Sequence, residues 1–145
     1  MNIRQLLQII LTASALALSG VAAALDLVVV THPHNGIEKM SKDEVINIYM
    51  GRYRKMPNGE TALALDLSKQ QGEKAYFYNL MVGKELPEIN SYWARLMFSG
   101  QGSPPRQVDS VEELIAIVSS NKGALAYMDR KKVDKRVRIV FDPTP

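Results

Sequence analysis

Two short apolar runs constrain this chain most. Leu25 to Thr31 is rich in valine, and Ala62 to Leu67 alternates Leu63, Leu65 and Leu67 along its length. Runs of this length bounded by turn residues are buried strands, not helices. Helical patterns lie between and after them. Ser41 and Glu44 form a capping box, followed by Val45, Ile48 and Tyr49 on one face. Phe77, Leu80 and Met81 share a face of a helix over residues 73–82. Ile89, Tyr92, Trp93, Leu96 and Met97 recur at helical spacing. Ser110 and Glu113 form a second capping box ahead of the stripe Val111, Leu114, Ile115 and Val118, and Gly123 suits a left-handed stop. Ala124 to Met128 and Val137 to Phe141 complete the order β-α-β-α-α-α-β-β. Apolar strands separated by helices predict an α/β fold, a mostly parallel sheet covered by helices, with the last two strands forming an antiparallel edge.

Residues 1–24 read as a cleavable secretory signal. Arg4 supplies the positive end, Ile9 to Leu18 the apolar stretch and Ala22-Ala23-Ala24 the small-residue cleavage site. That leaves one domain over residues 25–145 and predicts export to the periplasm. The chain has no cysteine, so the domain depends on packing alone. Its formal charge of +3 is too mild to predict nucleic-acid binding, and the basic stretch from Arg130 to Arg138 is interleaved with Asp134 as a solvated face is.

Candidate chemistry is sparse. His32-Pro33-His34 lacks a third ligand, so no metal or cofactor is predicted. No nucleophile elbow, P-loop or paired catalytic carboxylates occur, which predicts a protein that is not an enzyme. Thr31 sits at a strand's carboxyl end, where open α/β sheets bind ligands. The segment Tyr92 to Pro105 runs from an apolar helix into a loop with two glycines and two prolines. Ser99, Gly100, Gly102 and Ser103 can form an oxyanion nest with Arg106 adding charge, or can simply turn a corner.

Several segments in order carry a family resemblance: Val28-Val29-Val30 with its Pro/Asn loop, Lys42 to Gly51, Pro57-Asn58-Gly59, Phe77-Tyr78, Tyr92-Trp93 through Pro105, and Asn121 to Tyr127. Together, over about Asp26 to Met128, the chain resembles the short PstS-like proteins, substrate-binding components of phosphate ABC transporters. The resemblance implies a type 2 periplasmic-binding-protein-like fold, a phosphate ligand and an ABC permease partner. It also implies a single lobe, because full-length members have two with the ligand between them. Larger members carry an Arg-x-Asp-Gly-Ser-Gly-Thr anion motif. That motif falls on Leu67 to Glu73, where only Gly72 of the Ser-Gly-Thr triplet is kept and the Arg position is Leu67, or Asp66 one register away. A carboxylate there would repel phosphate by about 1–4 kcal/mol at contact. Ser68, Lys69, Gln71 and the N–H groups of Gly72 and the helix start remain as anion ligands.

These readings predict an exported solute-binding-type protein for phosphate or a related small oxyanion. The alternative is a single-lobe interaction module for a sensor, porin or permease. A homodimer that rebuilds a two-lobed cleft is a third arrangement.

Overall fold

The computed structural model describes residues 24–68 and 72–144. The proposed leader, apart from Ala24, and the candidate ligands Lys69 and Gln71 lie outside the described residues. The elements are β1 (Leu27–Thr31), α1 (Lys42–Tyr49), β2 (Leu63–Leu67), α2 (Glu73–Val82), α3 (Leu86–Phe98), β3 (Arg106–Val108), α4 (Val111–Ser120), β4 (Ala124–Asp129), a 3-10 turn (Arg130–Lys132) and β5 (Arg138–Phe141). Among the described residues no helix is long and apolar enough to cross a membrane.

Among the described residues the sheet has five strands in the order β3-β2-β4-β1-β5. β2 pairs parallel with both β3 and β4, whereas β1 pairs antiparallel with both β4 and β5. Four strands therefore point one way and β1 alone runs against them. This bears out the helix-covered, mostly parallel layer but corrects its edge. β4 and β5 do not pair with each other, because β1 lies between them. The sequence reading also missed β3, a three-residue edge strand with Arg106 and Gln107 exposed, so only Val108 carries an apolar signal.

Chain direction sorts the helices. The connection from β2 to β3 crosses the sheet one way and that from β3 to β4 the other, so right-handed crossovers place α2 and α3 on one face and α4 on the opposite one. Side chains agree. Asp66 meets Tyr78 of α2, while its neighbours Leu65 and Leu67 point the other way and are fully buried.

Local signals explain most boundaries. The Ser41 hydroxyl accepts from Glu44 N–H at 3.2 Å, and the Glu44 carboxylate accepts from Ser41 N–H at 2.8 Å. Helix α1 ends before Gly51, whose φ of 71° suits glycine. A Cβ there would also lie 2.7 Å from Trp93 Cη2, so Gly51 makes room for the indole. Gly123 differs from its predicted role. It has no positive φ, and α4 ends on an extended Asn121. A Cβ on Gly123 would lie 2.1 Å from the Thr61 carbonyl oxygen, so close backbone approach requires the glycine.

Between β2 and α2 the core is aromatic. Phe77 stacks on Tyr127 with ring centroids 4.0 Å apart, and Tyr49 lies 4.7 Å from Phe77. The hydroxyls of the tyrosines join the sheet. The β2–β4 ladder is registered at Leu63 with Ala124 and Ala64 with Leu125. Farther along, Tyr49 donates to the Leu65 carbonyl at 2.8 Å, and Leu67 N–H donates to the Tyr127 hydroxyl at 3.2 Å. Side chains thus take over where the strands diverge.

Candidate functional site

The candidate residues fall at opposite edges of the sheet. Ser68 and Gly72 follow β2 at the carboxyl edge of the parallel strands. Ser99, Gly100, Gly102 and Arg106 precede or open β3 at the amino edge. Thr31 ends β1, which runs backwards, so it pairs with Leu125 near the start of β4 and is remote from Ser68. Its side chain is fully buried, donates to the Ala124 carbonyl at 2.7 Å and accepts from Asn35 Nδ2 at 2.8 Å. Thr31 is thus a structural group whose hydroxyl is fully used within the fold.

At the carboxyl edge the dominant feature is Asp66, which is 1% exposed. Its carboxylate accepts from the Tyr78 hydroxyl at 3.0 Å and the Tyr127 hydroxyl at 3.1 Å, and lies 3.5 Å from Lys74 Nζ. Burial pushes the Asp66 pKa up, while Lys74 and the two hydroxyls pull it back. Burial and then the Asp66 charge push both phenols well above their ordinary range. The charge of Lys74 is thereby committed. Leu67 is fully buried among the core residues, so neither register of the resemblance leaves a cationic clamp here.

Helix α2 nevertheless opens at this edge on Gly72, with φ 78° and no side-chain cap among the described residues. Ser68, the alternative cap by sequence, is half-buried and donates its N–H to the Val108 carbonyl at 3.0 Å. The first N–H groups of a helix have no partner within it. One Glu73 oxygen is buried and has no hydrogen-bond partner among the described residues.

The amino edge is different. An open cleft of about 660 Å³ is lined by Tyr53, Arg54, Thr61, Leu63, Ala64, Trp93 and the loop from Gly100 to Arg106, among others. The expected nest at the start of that loop does not form. Gly100 N–H donates to the Met97 carbonyl at 3.1 Å and Gln101 N–H to the Leu96 carbonyl at 2.9 Å. With Gly100 at φ 70°, this is a Schellman motif that terminates α3. The Ser99 hydroxyl donates back to the Arg95 carbonyl at 3.0 Å. Ser99 and Gly100 therefore end a helix, and of the expected nest only Ser99 stays off the cleft lining, which Gly100, Gly102, Ser103 and Arg106 share. Arg54 donates Nη2 to the Gln101 carbonyl at 3.3 Å, which ties the two loops around the cleft together.

Several solved structures share this fold. An ABC-type phosphate transport receptor from Vibrio cholerae superposes with a TM-score of 0.65 at 19% identity, over 83% of this chain and 48% of its own. The chain shares its fold with about half of that receptor. A protein from Clostridium perfringens solved with bound phosphate gives 0.64 at 18% identity, over 80% and 44%. PstS from Borrelia burgdorferi gives 0.58 at 12%, over 80% and 46%. The chain spans less than half the length of each of these receptors. No protein-family model matches the sequence, and neither does any curated protein.

The sequence reading missed Arg54, Tyr53 and Thr61 at the cleft, and the Asp66–Lys74–Tyr78–Tyr127 cluster. The run Arg52-Tyr53-Arg54-Lys55 was the available signal for the first. Nothing local announces the second, since its members come from β2, α2 and β4. His34 N–H donates to His32 Nδ1 at 3.0 Å, and the His32 ring also hydrogen-bonds to the Ser119 backbone. Among the described residues no cluster of metal-ligating side chains forms.

Proposed function

We propose that the chain is an exported solute-binding-type protein that holds phosphate or a related small oxyanion at the carboxyl edge of its sheet. The observation that carries this is the uncapped start of α2 beside Ser68, in a fold shared with phosphate receptors. A helix N-terminus with free N–H groups is a ready anion site. Because Lys74 is paired with Asp66, binding there draws on backbone N–H groups and the Ser68 hydroxyl, with Lys69 and Gln71 as the remaining ligands that the sequence offers. Titration calorimetry with phosphate, sulfate and small organic anions tests the proposal. Saturable heat that falls in S68A is expected. No heat and no thermal shift at millimolar anion would sink it.

A second reading is favoured by one observation: a buried Asp66–Lys74 pair stands where the resemblance puts the cationic clamp. In this reading the lobe serves as an interaction module for an envelope protein such as a sensor, porin or permease. Capture of one such protein from a membrane fraction, with no anion heat, would establish it. Light scattering separates both from a homodimer that rebuilds a two-lobed cleft.

A further inference from the structure

We propose that the amino-edge cleft is a separate binding site for organic anions, molecules that join a carboxylate or phosphate-ester head to an apolar body. The proposal is independent of the oxyanion reading, which concerns the opposite edge. Size is the first argument. A cleft of about 660 Å³ suits a small organic molecule and is far larger than an inorganic oxyanion fills.

The lining is the second. Trp93, Ala64, Pro104 and Pro105 give the cleft apolar surface. A bare oxyanion would shed water against such surface for no return, whereas an aromatic or branched body gains by burial and ring contact.

Charge is the third. Arg54 and Arg106 both line the cleft and are exposed, and no Asp or Glu lines it. Arg54 is steadied by one bond to Gln101, which leaves its other guanidinium N–H groups to donate. The Arg106 side chain makes no hydrogen bond or ion pair among the described residues. Guanidinium forks pair bidentately with carboxylates and phosphates, and do so more strongly where water is partly excluded.

Trp93 is the only tryptophan in the chain, so its fluorescence reports this cleft. The test is a titration of the protein with phenylacetate, phenyl phosphate and inorganic phosphate, for wild type, R54A, R106A and R106K. A saturable change with an organic probe is expected, at a dissociation constant at least about tenfold below that of inorganic phosphate. R54A and R106A should each weaken it by about tenfold, with partial recovery in R106K. Tighter phenylacetate assigns a carboxylate ligand, and tighter phenyl phosphate a phosphate ester. No saturable change with either organic probe overturns the proposal. So does a change that R54A and R106A leave intact, or inorganic phosphate binding as tightly as both organic probes. S68A, which should reduce the calorimetric heat of oxyanion binding, should leave this titration unchanged. The two proposals therefore fail separately.

Discussion

The two edges of the sheet solve opposite problems. At the carboxyl edge a buried carboxylate is surrounded by one ammonium and two phenols, and charge is cancelled inside the fold. At the amino edge two arginines stand exposed around an open cleft. Charge at the first edge holds the protein together, while charge at the second is left over for something else. A buried charge that loses its partner is expensive, and an exposed one costs almost nothing to remove.

Breaking the carboxyl edge should have the largest effect. D66A leaves Lys74 buried and unpaired and should cost about 3–5 kcal/mol in chemical denaturation. A loss below about 1 kcal/mol would show that Lys74 simply swings into water. Y127F comes next. It removes the acceptor for Leu67 N–H and a donor to Asp66, for an expected loss of about 1–3 kcal/mol. At the amino edge G51A should cost a similar amount, about 1–3 kcal/mol, since its Cβ would press on the Trp93 ring at a positive φ. It should also shift Trp93 emission, which Y127F should not. R54A and R106A form the smallest pair, each within about 0.5 kcal/mol of wild type. A melting point well below wild type for either would mean that the cleft arginines are structural after all.

Acidity sharpens the same contrast. Burial keeps the Asp66 pKa above its ordinary value, so the folded chain binds that proton more tightly than the unfolded one. Its contribution to stability is therefore greatest below the unfolded pKa of about 4 and falls as pH rises through the folded value. Asp134, Asp142 and Glu112 have lowered pKa values from their pairing with Arg136 or Arg130 and act in the opposite sense. Comparison with D66N isolates the buried group, because the exposed carboxylates are common to both proteins. Wild type should lose stability relative to D66N as pH is raised from about 3 to 7 in denaturant titrations. A relative gain over that range would reverse the assignment.

Strands and capped helices were legible because their signals are local. Ser41 and Glu44 lie three residues apart, and Val45, Ile48 and Tyr49 are all buried as the stripe requires. The α3 stripe held for Ile89 and Trp93, and in part for Tyr92 and Leu96, but not for Met97, which is 52% exposed in the last turn of the helix. The direction of β1 was not legible. Parallel and antiparallel buried strands share the same apolar composition, and direction is set by partners about a hundred residues away. The candidate sites failed for a related reason. Glycines and serines after a helix announce available N–H groups, yet the helix itself took those of Gly100 and Gln101. Likewise Asp66 read as a repulsive charge at an anion site, because Lys74, Tyr78 and Tyr127 reach it only once α2 and β4 are packed.

The position of β1 has a consequence for how the protein is made. Its five residues are among the first of the domain to leave the ribosome, yet both of their sheet partners, β4 and β5, are among the last. Until those partners emerge, Val28, Val29 and Val30 have neither backbone partners nor a finished core to enter. Such long-range pairing delays closure of the fold. A nascent chain of this design holds β1 unpaired until β4 and β5 have both emerged.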